Sequence, residues 1–180
     1  GADGHPSLRD LLSLGAAAPE VSFAPTTPLA VLPYSSGTTG RPKGVMLPHR
    51  NLVANVAQSQ PNVGVVAEDR VLAVLPFFHI YGMTVLLNLA LAQRASLVTM
   101  PRFDLAEFLR CIADYHCTYV FIAPPIAVAL AKHPLIDEYD LSSLNTIFSG
   151  AAPLDAALGD AVAKRIDCRV RQGYGMTEMS

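Results

Sequence analysis

The sequence has no tryptophan, and only 16% of its residues are Asp, Glu, Lys or Arg. Neither sign dominates. The net charge is −2 and no stripe of Lys or Arg is visible, so a nucleic-acid footprint is not expected. The cysteines, Cys111, Cys117 and Cys168, are odd in number, and their spacing fits neither a zinc site nor a redox pair. They read as buried thiols in a reducing cytoplasm. A long apolar run is missing too. The most apolar stretch, Ile80 to Leu91, is closed off by Gln93 and Arg94, well short of the roughly 20 residues a spanning helix needs. It reads as a buried core helix. No basic patch followed by an apolar run opens the chain, so no secretory signal is visible. The first residue is Gly1 rather than Met, which hints at an internal piece of a longer polypeptide.

What is abundant is apolar side chain, 51% of a 180-residue chain. That supports a large buried core and one globular domain, and it argues against disorder. Residues 1–28 are rich in Ala, Gly and Pro and read as a connecting segment, with a short helix over Ser7–Leu14 placing Leu8, Leu11 and Leu12 on one face. From Leu29 onward short β-like runs alternate with helical patterns. Leu29–Tyr34, Arg70–Pro76, Ala95–Met100, Thr118–Ala123, Asn145–Ser149 and Arg169–Gln172 are apolar, rich in Val and Ile, and bounded by Pro, Gly or polar residues. Helices are expected over Asn51–Ser59, Ile80–Gln93, the run after Asp104, and Leu154–Ile166. Such alternation predicts an α/β fold with helices layered on a mostly parallel sheet. Ligands of these sheets sit outside the carboxyl ends of the strands, where the unusual loops of this sequence fall.

The first of those loops is Tyr34-Ser35-Ser36-Gly37-Thr38-Thr39-Gly40-Arg41-Pro42-Lys43-Gly44. Its glycines permit tight turns and close backbone approach to an anion. Ser35, Ser36, Thr38 and Thr39 add hydroxyl donors, and Lys43 adds a mobile positive charge. These are the parts needed to hold a triphosphate. A Walker loop is excluded, because Pro42 precedes the lysine, Gly44 follows it, and Val45-Met46-Leu47 continues as a strand-like run. The order S-S-G-T-T-G-x-P-K-G resembles the signature of the adenylate-forming superfamily: acyl-CoA ligases, luciferases and the adenylation domains of peptide synthetases. The resemblance implies closure over the β- and γ-phosphates of ATP.

Two further matches follow in the expected order, so the resemblance runs from Leu29 to Ser180. In Leu75-Pro76-Phe77-Phe78-His79-Ile80-Tyr81-Gly82, His79 is similar to the family histidine that lines the carboxylate pocket and orients the acid. Tyr81 is open between a hydroxyl in the acyl pocket and plain packing. The remaining match joins Ser149-Gly150-Ala151-Ala152-Pro153-Leu154 to Gln172-Gly173-Tyr174-Gly175-Met176-Thr177-Glu178. The small residues Gly150, Ala151 and Ala152 let a flat ligand lie against backbone. Tyr174 offers an aromatic face to a purine, Thr177 a hydroxyl to the α-phosphate, and Glu178 a hard oxygen to Mg²⁺. In the family, the segment Gln172 to Glu178 makes the adenine, α-phosphate and magnesium contacts.

The resemblance therefore implies activation of a carboxylic acid by ATP to an acyl-adenylate, with CoA taking the acyl group in the ligase branch. Such transfer depends on positioning and charge neutralisation more than on a nucleophilic side chain. His79, Lys43, Thr177 and Glu178 are the expected catalytic set. The segments Gly44–Leu52, Phe77–Gly82, Ala123–Ile126 and Asp140–Leu144 look most like 4-coumarate–CoA ligases and their bacterial relatives, which suggests an aryl acid. A carrier-protein-linked adenylation domain, or a catalytically dead nucleotide- or acyl-binding module, is the alternative. Residues 29–180 correspond to part of the family's N-terminal domain. The family's ribose-binding aspartate segment and its C-terminal lid with the catalytic lysine lie beyond this sequence. Lys43 belongs to the phosphate loop and is not that lysine. The 180 residues alone are expected to bind ATP weakly and turn over poorly.

Overall fold

The computed structural model describes residues 7–15, 17, 20–22, 24, 26, 29–36 and 40–179. Gly37, Thr38 and Thr39, the centre of the phosphate loop, lie outside the described residues.

Five strands form one wholly parallel sheet: β5 (Arg70–Ala73), β6 (Ser96–Thr99), β7 (Tyr119–Ile122), β8 (Thr146–Ser149) and β9 (Arg169–Gln172), in the order β6-β5-β7-β8-β9. β5, β7 and β8 are apolar and largely buried, as strands covered on both faces must be. Their side chains alternate between two cores. On one face Leu72, Val120 and Ile147 pack with Phe108, Leu109 and Ile112 of α4 (Leu105–Tyr115), Leu130 of α5 (Pro124–Lys132) and Val162 of α6 (Ala156–Ile166). On the other, Val71, Phe121 and Phe148 pack with Val63 of α2 (His49–Val63) and with Leu86 and Leu89 of the helix that precedes β6. The result is the layered α/β architecture expected from the alternating pattern.

Two side-chain caps open these helices, the first at the expected Asp104. Asp104 Oδ1 accepts from Glu107 N at 2.9 Å to open α4, and Asp155 Oδ1 accepts from Leu158 N at 3.1 Å to open α6. The short N-terminal helix α1 (Leu8–Ser13) also forms, capped by Ser7, but its Leu11 and Leu12 are exposed. The core helix expected over Ile80–Gln93 is a π-helix, Tyr81–Asn88, that continues as α3 (Leu89–Ala92). Helix α5 carried no periodic signal that marked it out. Its one local cue is Pro124-Pro125 at its first positions, where a missing N–H costs no helical bond.

The expected strand Leu29–Tyr34 is two strands. Leu29–Val31 (β1) pairs antiparallel with Leu47–Pro48 (β4), and Tyr34–Ser35 (β2) pairs antiparallel with Lys43–Gly44 (β3). Pro33 between them has no N–H to give a ladder, although its carbonyl accepts from Val45 N at 2.8 Å. The phosphate loop therefore joins a hairpin outside the parallel sheet, and does not follow one of the sheet's own strands.

Candidate active site

Because the sheet is parallel, the loops after β5, β8 and β9 all leave from its carboxyl edge, and the expected acid and nucleotide residues converge there. After β5, His79 is held by the backbone: its Nδ1 accepts from Tyr81 N at 3.2 Å, and its own N–H donates to Pro76 O at 3.2 Å. With Nδ1 occupied as an acceptor, the neutral ring carries its proton on Nε2, and the exposed imidazole presents a donor. Gly82 makes this turn possible, since a Cβ there would lie 2.2 Å from Pro76 O.

Tyr81 points inward. Its hydroxyl donates to Phe148 O at 3.1 Å, and its ring meets Phe121 edge-on with centroids 6.1 Å apart. Burial, reinforced by the neighbouring Tyr119, pushes the phenol well above its ordinary range. This contact ties the Tyr81 hydroxyl to the backbone of β8. Gly150 lies directly over the ring. A Cβ at Gly150 would be 2.8 Å from Tyr81 Cζ, and one at Gly173 would be 2.6 Å from Phe148 Cζ. Both glycines thus allow the backbone of the carboxyl edge to approach these rings more closely than any larger residue could.

The loops after β8 and β9 are tied together. Gly150 N donates to Ile122 O and Gly173 N to Ser149 O, extending the sheet ladder by a residue, and Leu154 N donates to Gln172 Oε1 at 3.1 Å. Gln172 is therefore a brace between loops. Ala151 adopts a left-handed backbone, φ 69°, which presents it and Ala152 at the surface. Tyr174 is 84% exposed, an open aromatic face, and Gly175 and Met176 beside it are exposed as well.

The last element is a single 3₁₀ turn, Thr177–Met179, packed against β2. Here the distant parts of the sequence meet. The hairpin register sets Ser35 opposite Lys43, and Glu178 lies beside both. The Ser35 hydroxyl donates to the Glu178 carboxylate, and this bond, followed by Glu178's own backbone N–H and the charge of Lys43, holds the carboxyl below the usual glutamate range. Ser35 is only 9% exposed. Ser36, Gly40 and Lys43 remain on the open surface of the hairpin.

A family model described as "AMP-binding enzyme" matches residues 4–180. The chain belongs to the AMP-binding enzyme family. It is 49% identical over 165 residues to 4-coumarate–CoA ligase 2 of Nicotiana tabacum, which covers 89% of this chain and 30% of that one. Among solved structures it is similar to a natural red-emitting luciferase from Phrixothrix hirtus: 38% identity, TM-score 0.78, 87% of this chain and 30% of that chain. It is also similar to ATP-bound MatB from Rhodopseudomonas palustris: 32% identity, TM-score 0.75, 83% of this chain and 29% of that chain. The chain thus spans about 30% of the length of the curated relatives it matches. Its fold is that of the adenylate-forming enzymes.

A magnesium ion fits the expected site in one way. No three His, Cys, Asp or Glu side chains form a metal cage among the described residues. A cation would therefore take Glu178, exposed and held ionised, as its single protein carboxylate, with phosphate oxygens completing its shell. The mixed-charge cavity of about 330 Å³ bounded by Asp137, Tyr139, Ser142 and Arg165 lies at the opposite, amino edge of the sheet and takes no part. Two contributors carried no role in the sequence reading. Gly82 was readable as a loop glycine, whereas Asn55, whose Nδ2 donates to Met179 O at 3.4 Å across 124 residues of sequence, had no local signal.

Proposed function

We propose that this chain is the nucleotide- and acid-binding part of an AMP-forming acid–thiol ligase acting on an aryl acid of the 4-coumarate class. The observation that carries the reading is the meeting of Ser35, Lys43 and Glu178, which sets the phosphate loop against the expected magnesium carboxylate. The identity to a 4-coumarate–CoA ligase supports the aryl acid and CoA.

In this reaction a carboxylate oxygen attacks the α-phosphorus of ATP, and pyrophosphate leaves. A thiol sulfur then attacks the acyl carbon, and AMP leaves. His79 donates from Nε2 to the acid and orients its attacking oxygen. Lys43, Ser36 and the loop amides hold the departing pyrophosphate, with Thr38 and Thr39 assigned to the same task from the sequence. Thr177 donates to the α-phosphate, and Tyr174 lies against the adenine. Magnesium bound through Glu178 would supply charge neutralisation at the phosphates. Ala151 and Ala152, small and exposed beside Gly173, leave room for a planar ring to lie against backbone. The reaction belongs in the cytoplasm, where the buried thiols stay reduced.

The test is carboxylate-dependent ATP–pyrophosphate exchange by the intact polypeptide across cinnamic, benzoic and fatty acids, followed by addition of CoA. Exchange with hydroxycinnamates and thioester formation on CoA is the expected result, with Glu178→Ala abolishing most of the exchange. ATP binding without exchange for any acid would overturn the ligase reading.

A further inference from the structure

We propose that Asn55, on helix α2, is a positioning residue that sets where the Thr177–Met179 turn presents Glu178 to a magnesium–nucleotide. The inference rests on the function proposed above and adds a residue to the same site.

The turn has an anchor outside itself. It is three residues long, Thr177–Met179. Its own backbone supplies one bond, Met179 N to Met176 O at 3.1 Å. The Met179 carbonyl takes a donor from outside the turn. Asn55 Nδ2 supplies its partner at 3.4 Å. The amide is itself oriented: Ser59 Oγ, one turn further along α2, donates to Asn55 Oδ1 at 3.2 Å, which leaves the NH₂ group facing Met179.

The anchor is rigid because α2 is tied to the parallel sheet. Val63 O, at the end of the helix, accepts from the buried Tyr119 hydroxyl at 2.9 Å and from Arg171 at 3.1 Å. Glu178 is thus gripped from two directions. Ser35 holds the carboxylate from the hairpin side, and Asn55 holds the backbone of the turn from the α2 side. Partners of this outer kind orient a metal-binding carboxylate without touching the metal.

The experiment is calorimetric titration of ATP into the intact polypeptide at a series of Mg²⁺ concentrations, for wild type, Asn55→Leu, Asn55→Gln and Ser59→Ala. Asn55→Leu is expected to raise the Mg²⁺ concentration needed for tight ATP binding about tenfold, with ATP affinity in the absence of Mg²⁺ unchanged. Asn55→Gln, which keeps the amide, restores part of the loss, and Ser59→Ala shifts the Mg²⁺ requirement less than Asn55→Leu in the same direction. Equal weakening with and without Mg²⁺, or no change in Asn55→Leu, overturns the positioning role while leaving the functional reading intact. Should Asn55→Leu fail to fold, Ser59→Ala and Asn55→Gln decide the matter, and wild-type Mg²⁺ dependence in both overturns the proposal. Failure of the wild type to bind ATP at any Mg²⁺ concentration overturns the functional reading, and this inference with it.

Discussion

Gly150 rests on the face of Tyr81: a Cβ built at position 150 would lie 2.8 Å from Cζ and 3.0 Å from the hydroxyl oxygen. The ring has nowhere to yield. Its hydroxyl is bonded to Phe148 O and its edge packs on Phe121, so the clash meets a pinned side chain. Gly150→Ala is expected to destabilise the fold by about 1–3 kcal/mol, the usual cost of overpacking. Urea unfolding measures it. A midpoint equal to wild type would show that Tyr81 moves freely, and Tyr81→Phe should then also be silent.

Gly82 and Gly175 separate glycines that are required from those that are tolerated. A Cβ at Gly82 would lie 2.2 Å from the Pro76 carbonyl oxygen, a backbone atom, whereas a Cβ at Gly175 meets nothing within 4 Å. Gly82→Ala should therefore disrupt the turn that places His79, lowering both stability and the first half-reaction. Gly175→Ala should leave stability within about 0.5 kcal/mol of wild type, as for surface changes away from special features. Parallel thermal melts of the two variants test the contrast, and equal melts would refute it.

Thr118 links the amino ends of two central strands. Its hydroxyl donates to Asp69 Oδ1 at 2.6 Å and accepts from Arg70 N at 3.0 Å. Thr118→Val keeps the shape and removes both bonds. The loss is expected to be about 1–3 kcal/mol, because partly buried polar groups are left unsatisfied. Serine at the same position should recover most of it. Chemical denaturation of the two variants is the check, and a Val variant as stable as wild type would remove the pair from the fold's supports.

The thiols predict an alkaline weakness. Burial pushes Cys117 and Cys168 from 9.0 up to about 11, with nearby negative groups adding to the shift. A raised value means that the folded state holds its proton more tightly than the unfolded state. This contribution is complete below pH 9.0 and is lost as pH rises through about 11. Stability measured from pH 8 to 11 should fall, and Cys117→Ala with Cys168→Ala should flatten the fall. An unchanged slope in the double variant would contradict the assignment.

Much of the fold was legible because it is governed by local rules. Arg169–Gln172 forms its strand at the expected bounds, and Asp104 caps the helix that follows it, since a short acceptor before an apolar periodicity has few other uses. The reading failed where a local rule was overridden. Leu29–Tyr34 has one apolar strand pattern, yet Pro33 splits it and sends its halves to different partners. Helix α5 buries only Ala127 and Leu130, and its outward positions Pro125 and Val128 are apolar as well, so it lacks the polar face that periodicity detects. In the site, the glycine-rich loop and the segment Gln172–Glu178 were visible as patterns. The contacts of Tyr81, Ser35 and Asn55 were not, because each depends on a residue remote in sequence.

By itself the sequence determined the class of the fold and the pattern of its loops. Alternating patterns, caps and glycine-rich turns are short-range properties of the chain. Only the tertiary structure decided that the Tyr81 hydroxyl is bonded to Phe148, that Ser35 turns inward to Glu178, and that α2 reaches the Thr177–Met179 turn through Asn55. Those outcomes follow from hairpin register and from the packing of helices on both faces of a parallel sheet, which bring distant residues to within hydrogen-bond reach.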